Sequence, residues 1–171
     1  SNYGCDHYIL HARKALLSGL SPKENRTIPP INYPRVYKIK EQYSELKIEI
    51  NGEIKDINEI EEHFKYVDGV MIGREACNNP LILKKINSSI YEDKPIEMTE
   101  FFEKMFEYII KESNHGTGVH FITRHMTSLF KGMPGAKEWR KLSGGIESKK
   151  SSAEELVRSM QLFVEDKINQ H

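Results

Sequence analysis

The sequence predicts an α/β protein in which three parallel strands, joined by helical crossovers, precede a small helical domain. Two observations lead to this prediction. Between residues 7 and 87, short β-favouring runs alternate with segments whose apolar residues recur at helical spacing, which is typical of parallel sheets with right-handed crossovers. From about Asp93-Lys94-Pro95 onward, the apolar residues recur at helical spacing only.

Length and composition restrict the class of protein. The chain has 171 residues, enough for one domain or two small ones, with 38% apolar and 29% charged residues. Its apolar runs are too short to cross a membrane, and we expect neither a secretory signal nor a membrane partner. Cys5 and Cys77 fit neither a disulfide framework nor a metal motif, and we interpret both as structural. We therefore expect a cytoplasmic protein without a bound metal.

Three strands and three helices are predicted in the first half of the chain. "HYIL", followed by His11, indicates a buried strand, and "LKIEI" alternates apolar and polar residues before Asn51-Gly52. Asp56 with Glu59 three residues later is a capping-box pattern. The predicted order is strand 7–10, helix 34–43, strand 46–50, a helix after Asp56 with Ile57, Ile60, Phe64 and Val67 on its apolar face, strand 69–72 and a helix near 80–87.

Polar residues or glycines follow all three predicted strands: His11, Asn51-Gly52 and Gly73-Arg74. Because the carboxyl ends of parallel strands meet at one edge, where α/β proteins place their sites, we expect these residues on one rim. Glycine lets the backbone approach a ligand closely and arginine offers a planar fork to phosphate, so Gly73-Arg74 is a candidate phosphate site. A histidine at a strand end can donate to a ligand or move a proton.

Each of these residues also has an ordinary interpretation. Gly73-Arg74 fits a βα turn with a surface arginine, and Asn51-Gly52 fits a strand-ending turn. A single histidine such as His11 is commonly a packed, hydrogen-bonded residue. Taken one at a time, the residues leave both interpretations open.

The second half of the chain is predicted to form helices. Thr99 is the predicted N-cap of the first, Pro134-Gly135 interrupts the chain, and Ser152 with Glu155 is a second capping-box pattern. The apolar positions that predict the helical faces are Phe102, Met105, Phe106 and Ile109, then Ile122, Met126, Leu129 and Phe130, and finally Ala153, Leu156, Val157, Met160, Phe163, Val164 and Ile168.

A short helix near 136–142 carries Trp139 between Lys137 and Arg140. We interpret Trp139 as the core anchor of this helix. For the two cations, an RNA contact and a solvated helix face both stay open.

Charge is unevenly distributed although the net charge is zero. Residues 1–40 hold seven Lys or Arg against two acids, residues 41–68 hold nine acids against three bases, and residues 120–150 hold seven bases against two acids. If the two basic blocks share a face in the fold, they can hold a polyanion.

Several long motifs occur in an order that resembles one known family. They are "HARKALLSGLSPKENR", "YPRVYKIK", "ING", "VDGVMIGREA", "NP" and "TRHMTSLFKGMPGAKEWRKLS", and they extend over roughly residues 4–165. Together they resemble the C-terminal part of the tRNA-dihydrouridine synthases, most closely the A subfamily.

The resemblance implies a fold and a division of the chain. The fold is α/β: the C-terminal portion of a TIM (β/α)8 barrel, about three βα units, followed by a small all-α helical domain. Residues 1–92 are then the last part of an FMN-binding barrel, and residues 93–171 are a helical tRNA-binding domain. The family's catalytic cysteine lies upstream of this segment, so the resemblance implies a fragment without a catalytic residue of its own.

The resemblance also implies an activity. Family members reduce D-loop uridines of tRNA to 5,6-dihydrouridine, at positions 20 and 20a in the A subfamily, with FMN as the bound flavin and NADPH as the reductant. The implied partner is tRNA, and the implied full-length enzyme is a cytoplasmic monomer.

Site residues follow from the family pattern. The FMN contacts are His11, Asn51, Gly52, Glu53, Gly73 and Arg74, and the tRNA contacts are Lys23, Arg26, Lys137 and Arg140. Two positions depart from the pattern: Glu53 stands where relatives usually have a second glycine, and Cys77 where they usually have an aromatic residue. A carboxylate repels a phosphate unless it points away, so a flavin contact at Glu53 requires its side chain to turn aside.

Two alternative functions stay open. The chain can act alone as a non-catalytic tRNA-binding module, which mobility-shift and flavin-absorbance measurements would distinguish. A phosphate-binding barrel fragment from sugar or amino-acid metabolism explains Gly73-Arg74 but not the basic blocks.

Overall fold

The structure is a computed structural model that describes residues 4–91, 94, 96–145 and 150–168. The chain divides into two compact units, Ser1–Ala76 and Cys77–His171. The first contains a small parallel sheet with helices, and the described residues of the second form helices and turns. The predicted α/β class is confirmed.

The sheet has three parallel strands in the order β1-β2-β3. Strand β1 spans His7–His11, β2 spans Lys47–Asn51 and β3 spans Gly69–Met71. Their register aligns the last residues of all three strands, since His11 pairs with Asn51 and Asn51 pairs with Met71. The three predicted strands are therefore present, and their ends lie at one edge of the sheet as expected.

The prediction that the first strand is buried was wrong. Ile9 in the middle of β1 is 53% exposed, whereas Ile48 and Ile50 of β2 are 1% and 0% exposed. The reason is position in the sheet: β2 has a neighbouring strand on each side, and β1 pairs with β2 alone among the described residues. A short apolar run indicates a strand but not which strand of a sheet it will be.

Helices follow each strand. Helix α1 spans Pro22–Asn25, α2 spans Tyr33–Gln42, α3 spans Ile57–Phe64, and α4 begins at Arg74 and ends at Asn78. The sequence predicts α2 and α3 but neither α1 nor α4, both of which have five residues or fewer. Such short helices lack the repeated apolar spacing on which the prediction depends.

Asp56 caps α3 as predicted, with one change. Its Oδ1 accepts a hydrogen bond from the Glu59 N–H at 3.0 Å. The carboxylate of Glu59 returns to the N–H of Lys55, at 2.7 Å, rather than to that of Asp56. Two backbone N–H groups at the start of α3 are still hydrogen-bonded, so the helix is capped as expected.

The apolar face predicted for α3 was wrong at Phe64. Ile60 and Val67 are 2% and 6% exposed, but Phe64 is 42% exposed, and the buried residue beside it is His63 at 2%. His63 packs edge-on against Tyr33, with 4.5 Å between ring centroids, and this contact turns the histidine inward. The aromatic partners on α2, not helical spacing, decide which of the two rings is buried.

The second unit is built around an aromatic core. Phe102, Phe130 and Trp139 contact one another, with ring centroids 4.9 to 5.8 Å apart, and Trp139 is 0% exposed. The interpretation of Trp139 as a core anchor is thus confirmed. The helices of this unit are α5 (Ile82–Ile90), α6 (Met98–Asn114), α7 (Val119–Thr123), a 3-10 turn (Arg124–Met126), α8 (Ala136–Gly144) and α9 (Ala153–Ile168).

Two local predictions in this unit had different outcomes. Ser152 and Glu155 form the predicted capping box, because each side chain accepts from the other residue's N–H, at 3.2 and 3.0 Å. Thr99 was wrong as an N-cap: α6 starts at Met98, and Glu97 takes the cap position without a side-chain hydrogen bond. Because the helix begins before Thr99, this residue lies inside the first turn and cannot act as the N-cap.

The apolar positions between 122 and 130 were predicted to form one helix, and they do not. Helix α7 ends at Thr123 and passes into the 3-10 turn. The carbonyl of Met126 accepts a hydrogen bond from the indole Nε1 of Trp139 at 2.6 Å. The same carbonyl also accepts a hydrogen bond from the Leu129 N–H at 3.0 Å, and Met126 reaches the core at 3% exposure.

The compact units divide at 76/77, whereas the sequence predicts a boundary at 92/93. Leu81 packs against the apolar core of the second unit, and the Ser128 hydroxyl donates to the carbonyl of Cys77 at 2.8 Å. These contacts group the segment around α5 with the later helices. The division into residues 1–92 and 93–171 stays a prediction about the barrel and the helical domain, and Asp93 and Pro95 lie outside the described residues.

Candidate functional site

A chain of hydrogen bonds joins the ends of the three strands. The ring Nδ1 of His11 lies 2.8 Å from Oδ1 of Asn51. The amide Nδ2 of Asn51 donates to the carbonyl of Met71 at 2.8 Å and lies at the same distance from its Sδ. Since these residues are register partners, the last side chain of β2 holds the ends of both neighbouring strands.

This arrangement fixes the tautomer of His11. A carbonyl oxygen can only accept, so the amide nitrogen of Asn51 must face Met71 and its Oδ1 must face His11. The Nδ1 of His11 therefore carries hydrogen. Its other ring nitrogen, Nε2, is then a hydrogen-bond acceptor in the neutral imidazole and a donor in the imidazolium.

The Nε2 of His11 is buried and has no hydrogen-bond partner among the described residues. Buried polar atoms in proteins are usually hydrogen-bonded, and an exception calls for a partner outside the chain itself or for a functional explanation. His11 thus meets the condition for a ligand contact, because one ring nitrogen is held by the protein and the other is available.

The turn after β2 has an unusual backbone. Gly52 has φ +138°, a conformation that residues with a side chain rarely adopt, and a Cβ at this position would lie 2.9 Å from Cδ1 of Ile31, so glycine is favoured. Glu53 follows with φ +56°, in the left-handed region that non-glycine residues seldom occupy. Two contacts hold this turn: the Tyr33 hydroxyl donates to the carbonyl of Gly52 at 2.7 Å, and Arg13 Nη2 lies 2.6 Å from Oε1 of Glu53.

The side chain of Glu53 is therefore turned toward Arg13. Only 4% of the Arg13 side-chain surface is exposed, against 40% for Glu53. The backbone places Arg13 firmly, since its N–H donates to the His11 carbonyl at 2.7 Å and it forms an antiparallel bridge with Ile31. The sequence did not predict that Arg13 and Tyr33 belong to the site. Both lie far from Gly52 and Glu53 along the chain, so no local pattern indicates these contacts.

Gly73 and Arg74 follow β3 and are both exposed. A Cβ on Gly73 would meet nothing within 4 Å, so the backbone here is open to a ligand. Arg74 is the first residue of α4, and its Nη2 donates to the carbonyl of Arg26 at 3.3 Å. This bond links the predicted phosphate residue to the segment that carries Lys23 and Arg26.

The segment of Lys23 and Arg26 is ordered rather than a plain polar loop. Ser21 and Glu24 form a reciprocal capping box at the start of α1. The Asn25 side chain accepts from the N–H of Leu16 at 2.7 Å and donates to its carbonyl at 2.9 Å. Lys23 and Arg26 are exposed at the two sides of this anchored turn. The hydrogen bonds of Ser21, Glu24 and Asn25 therefore fix where the two cations are presented.

Lys137 and Arg140 lie on α8 on either side of the buried Trp139, and both are exposed. Because Trp139 fixes the rotation of α8 about its axis, the two cations point away from the core. They satisfy the requirement of accessibility for an RNA contact, as do Lys23 and Arg26. The expectation that all four cations share one surface stays a prediction.

A tyrosine-histidine cluster supports the site from the helix side. The Nδ1 of His63 lies 2.7 Å from the Tyr37 hydroxyl, and burial lowers the pKa of His63. Burial also raises the pKa of Tyr33 and that of Tyr37. The ring of Tyr33 thus packs on His63 while its hydroxyl reaches Gly52, so the cluster connects α2 and α3 to the turn after β2.

Other kinds of site find no support in the described part of the chain. No group of three or more His, Cys, Asp or Glu residues there is placed to hold a metal ion. No helix among the described residues is long and apolar enough to cross a membrane. Cys5 and Cys77 form no disulfide and are exposed; the interpretation of both as structural stays a prediction.

Comparison with known proteins identifies the family of this chain. Residues 1–165 match the family model described as dihydrouridine synthase. Three relatives named tRNA-dihydrouridine(20/20a) synthase are similar over most of this chain. One from Escherichia coli (strain K12) is 48% identical over 139 residues, covering 80% of this chain and 40% of the relative. One from Vibrio vulnificus (strain CMCP6) is 46% identical over 140 residues, covering 81% and 43%.

The third relative, from Salmonella typhi, is 43% identical over 164 residues, covering 94% of this chain and 49% of the relative. The chain therefore spans about half the length, or less, of the curated relatives it matches.

Proposed function

Because the chain belongs to the dihydrouridine synthase family, we propose that it is the C-terminal part of a tRNA-dihydrouridine synthase that reduces D-loop uridines to 5,6-dihydrouridine. The observation that carries the proposal is the cluster at the strand ends, where Asn51 holds one nitrogen of His11 and leaves the other buried and without a partner. The relatives' names specify positions 20 and 20a, and we extend these positions to this protein.

The proposal divides the chain into two working parts. Residues 1–92 are the last three βα units of an FMN-binding (β/α)8 barrel, with the site at the carboxyl ends of the strands. Residues 93–171 are a helical domain that binds tRNA. The catalytic cysteine is supplied from outside this segment, and the full-length enzyme is a monomer that works in the cytoplasm, where its tRNA substrate is.

The residues at the strand ends fit a flavin nucleotide. The Nε2 of His11 is an available polar atom, and the backbone at Gly73 is open to a close approach. The exposed guanidinium of Arg74 suits a phosphate group. Asn51 acts through His11, because both ends of its amide are already engaged by His11 and Met71. When bound, FMN supplies the hydride for the uracil ring after reduction by NADPH.

Residues of this chain position the groups that contact the flavin in this proposal. Asn51 holds the His11 ring in one tautomer, so Nε2 keeps one direction and one hydrogen-bonding role in the neutral state. Gly52 permits the turn that brings Glu53 beside Arg13. Because the Glu53 carboxylate is paired with Arg13, the repulsion expected between it and a flavin phosphate is reduced.

Exposed lysine and arginine side chains are the tRNA contacts in this proposal. The target base must leave the stack to be reduced, at a cost on the order of a few kcal/mol. Phosphate contacts by Lys23, Arg26, Lys137 and Arg140, all exposed, help to offset this cost. The backbone bond from Arg74 to Arg26 ties the flavin side of the site to the tRNA side.

The test uses the full-length enzyme with tRNA that lacks dihydrouridine, together with FMN and NADPH. Mass spectrometry of tRNA fragments should detect dihydrouridine at positions 20 and 20a. His11→Ala should lower flavin retention and product formation by about tenfold or more, since a buried hydrogen bond to the ligand is lost. His7→Ala is the matched control, because His7 lies on the same strand but is exposed and bonds to Glu49 at 2.8 Å.

Two results would overturn the proposal. One is an enzyme that forms no dihydrouridine under these conditions. The other is a His11→Ala enzyme that retains flavin and activity as well as His7→Ala does.

A second candidate is a stand-alone tRNA-binding module. The four exposed cations favour it. For the 171-residue chain by itself we expect neither strong FMN binding nor turnover, because the rest of the flavin site lies outside it. Measurements on the full-length enzyme separate the candidates: flavin absorbance together with dihydrouridine formation refutes the module, and tRNA binding without either favours it.

A further inference from the structure

Glu53 occupies a backbone conformation that suits glycine, in the turn after β2 that the family pattern predicts to contact FMN. Its φ of +56° lies in the left-handed region, which is unfavourable for a non-glycine residue. The conformation persists because the surrounding structure holds the residue on two sides. The side chain is held by Arg13 and the preceding peptide by Tyr33.

Tyr33 controls the direction of the peptide between Gly52 and Glu53. The structure has no cis peptide bond among its described residues. In a trans peptide the carbonyl and the following N–H point in opposite directions. Because the Tyr33 hydroxyl draws the Gly52 carbonyl toward α2, at 2.7 Å, the N–H of Glu53 points away from α2. A backbone N–H presented in this way is a donor suited to an anion.

Arg13 controls the charge beside that donor. Its guanidinium lies 2.6 Å from the Glu53 carboxylate, and its side chain is almost entirely buried. The segment that carries Arg13 is anchored to β2 and to the start of α2, since Ala12 N–H donates to the Asn51 carbonyl and Asn32 N–H donates to the Ala12 carbonyl, each at 2.7 Å. Arg13 therefore has a fixed position from which it holds the carboxylate.

We infer that Tyr33 and Arg13 are positioning residues for phosphate recognition: Tyr33 aims the Glu53 N–H, and Arg13 holds the Glu53 carboxylate aside, so that Glu53 binds the flavin phosphate through its backbone. This inference rests on the proposed function, because it takes FMN as the ligand. It explains how a glutamate is tolerated at a position that the family usually gives to glycine.

The experiment compares FMN with riboflavin, which lacks the phosphate. Dissociation constants of both are measured by flavin fluorescence in the apo form of the full-length enzyme, and the ratio of the two gives the preference for the phosphate. Tyr33→Phe should lower this preference about tenfold, because the donor N–H is no longer aimed. Tyr37→Phe is the matched control: it removes a hydroxyl from the same helix, one that bonds to His63 instead of Gly52, and should leave the preference unchanged.

Arg13 is tested by rescue. Arg13→Met keeps the length of the buried side chain but frees the Glu53 carboxylate, so the preference for FMN should fall about tenfold. Adding Glu53→Gly removes the carboxylate and should restore the preference to within about threefold of wild type. Recovery in the double variant also shows that the loss in the single variant is not a failure to fold.

The outcomes separate this inference from the proposed function. If the wild-type enzyme binds FMN no more tightly than riboflavin, the proposed phosphate site fails. If wild type prefers FMN but Tyr33→Phe keeps that preference, or Glu53→Gly does not rescue Arg13→Met, the positioning roles are refuted while the flavin site stands.

Discussion

Asn51 Oδ1 accepts a hydrogen bond from Nδ1 of His11 at 2.8 Å, across the ends of two neighbouring strands. The amide of Asn51 has no freedom to turn over, because its nitrogen donates to the Met71 carbonyl. A residue that looked like an ordinary strand-ending asparagine thus decides which nitrogen of a neighbouring histidine carries hydrogen. The chemistry of the site depends on this pair more than on either residue alone.

The first prediction concerns the tautomer of His11. In the neutral ring of the wild-type protein, His11 should be in the Nδ1–H form. Asn51→Leu removes the acceptor and should give a mixture of the two tautomers. Long-range 1H–15N NMR of the 15N-histidine-labelled chain measures this. The His63 signal serves as the internal reference, and an unchanged His11 pattern in the variant would contradict the prediction.

The second prediction concerns the pH dependence of stability. Burial lowers the folded-state pKa of His63 below its ordinary value of 6.5, although Glu59 and Glu62 oppose this. As pH falls below 6.5, the unfolded chain takes up the proton first, so the contribution of His63 to stability is full above this value and decreases as pH falls toward the folded-state pKa. Urea unfolding at intervals between about pH 7 and pH 5 should show the decrease.

His63→Gln should make that decrease smaller, because the group that titrates is gone. His115→Gln, at an exposed histidine, is the control and should follow wild type. The pKa of Asp68 is lowered by the Ile48 N–H bond and by Lys40, so that its effect falls at lower pH. Parallel curves for wild type and His63→Gln would be evidence against the prediction.

The third prediction concerns strain at Glu53. Glu53→Ala and Glu53→Gly both remove the ion pair with Arg13, but only alanine keeps a side chain at φ +56°. Glu53→Gly should therefore be more stable than Glu53→Ala by about 1 kcal/mol. Urea unfolding of the two variants measures the difference. Equal stabilities would mean that the turn relaxes out of the left-handed region once the pair is lost.

Local signals account for much of what the sequence could predict. The three strands, the caps at Asp56 and Ser152 and the burial of Trp139 follow from periodicity, turn residues and capping chemistry, all of which lie within a few residues along the chain. The edge at which the strands end also follows, because parallel strands must point the same way. His11, Asn51 and Gly73 could therefore be placed together before any distance was known.

Tertiary contacts account for what it could not predict. The exposure of Ile9 depends on the place of β1 in the sheet, and the exposure of Phe64 depends on the tyrosines that bury His63. Arg13 and Tyr33 have no local pattern; they matter because the fold brings them to Glu53 and Gly52, forty and nineteen residues away respectively. Pairing across such separations is invisible to spacing rules.

The fourth prediction concerns the indole of Trp139. Trp139→Phe removes the hydrogen bond to the Met126 carbonyl and leaves a small cavity at a position that is 0% exposed. The free energy of unfolding should fall by about 2–4 kcal/mol. Glu138→Ala, at the exposed neighbour on α8, should change it by less than about 0.5 kcal/mol. Urea unfolding checks both, and a similar effect of the two substitutions would contradict the role of Trp139.

The fifth prediction concerns tRNA binding by α8. Lys137→Glu with Arg140→Glu in the full-length enzyme should weaken tRNA binding by about tenfold or more at about 0.1 M salt. If both side chains contact phosphates, the slope of log affinity against log salt should become shallower by about two. Filter binding at several salt concentrations measures both quantities.

The control carries the same charge change on the same unit. Lys131→Glu with Lys141→Glu also reverses two exposed cations, so it reproduces any general electrostatic effect on a polyanion. A specific contact predicts a larger loss of affinity for Lys137 and Arg140 than for this pair, and a larger change in salt slope. Equal effects would mean that Lys137 and Arg140 act only through general charge attraction. An unchanged affinity would show that these two residues are not part of the tRNA interface.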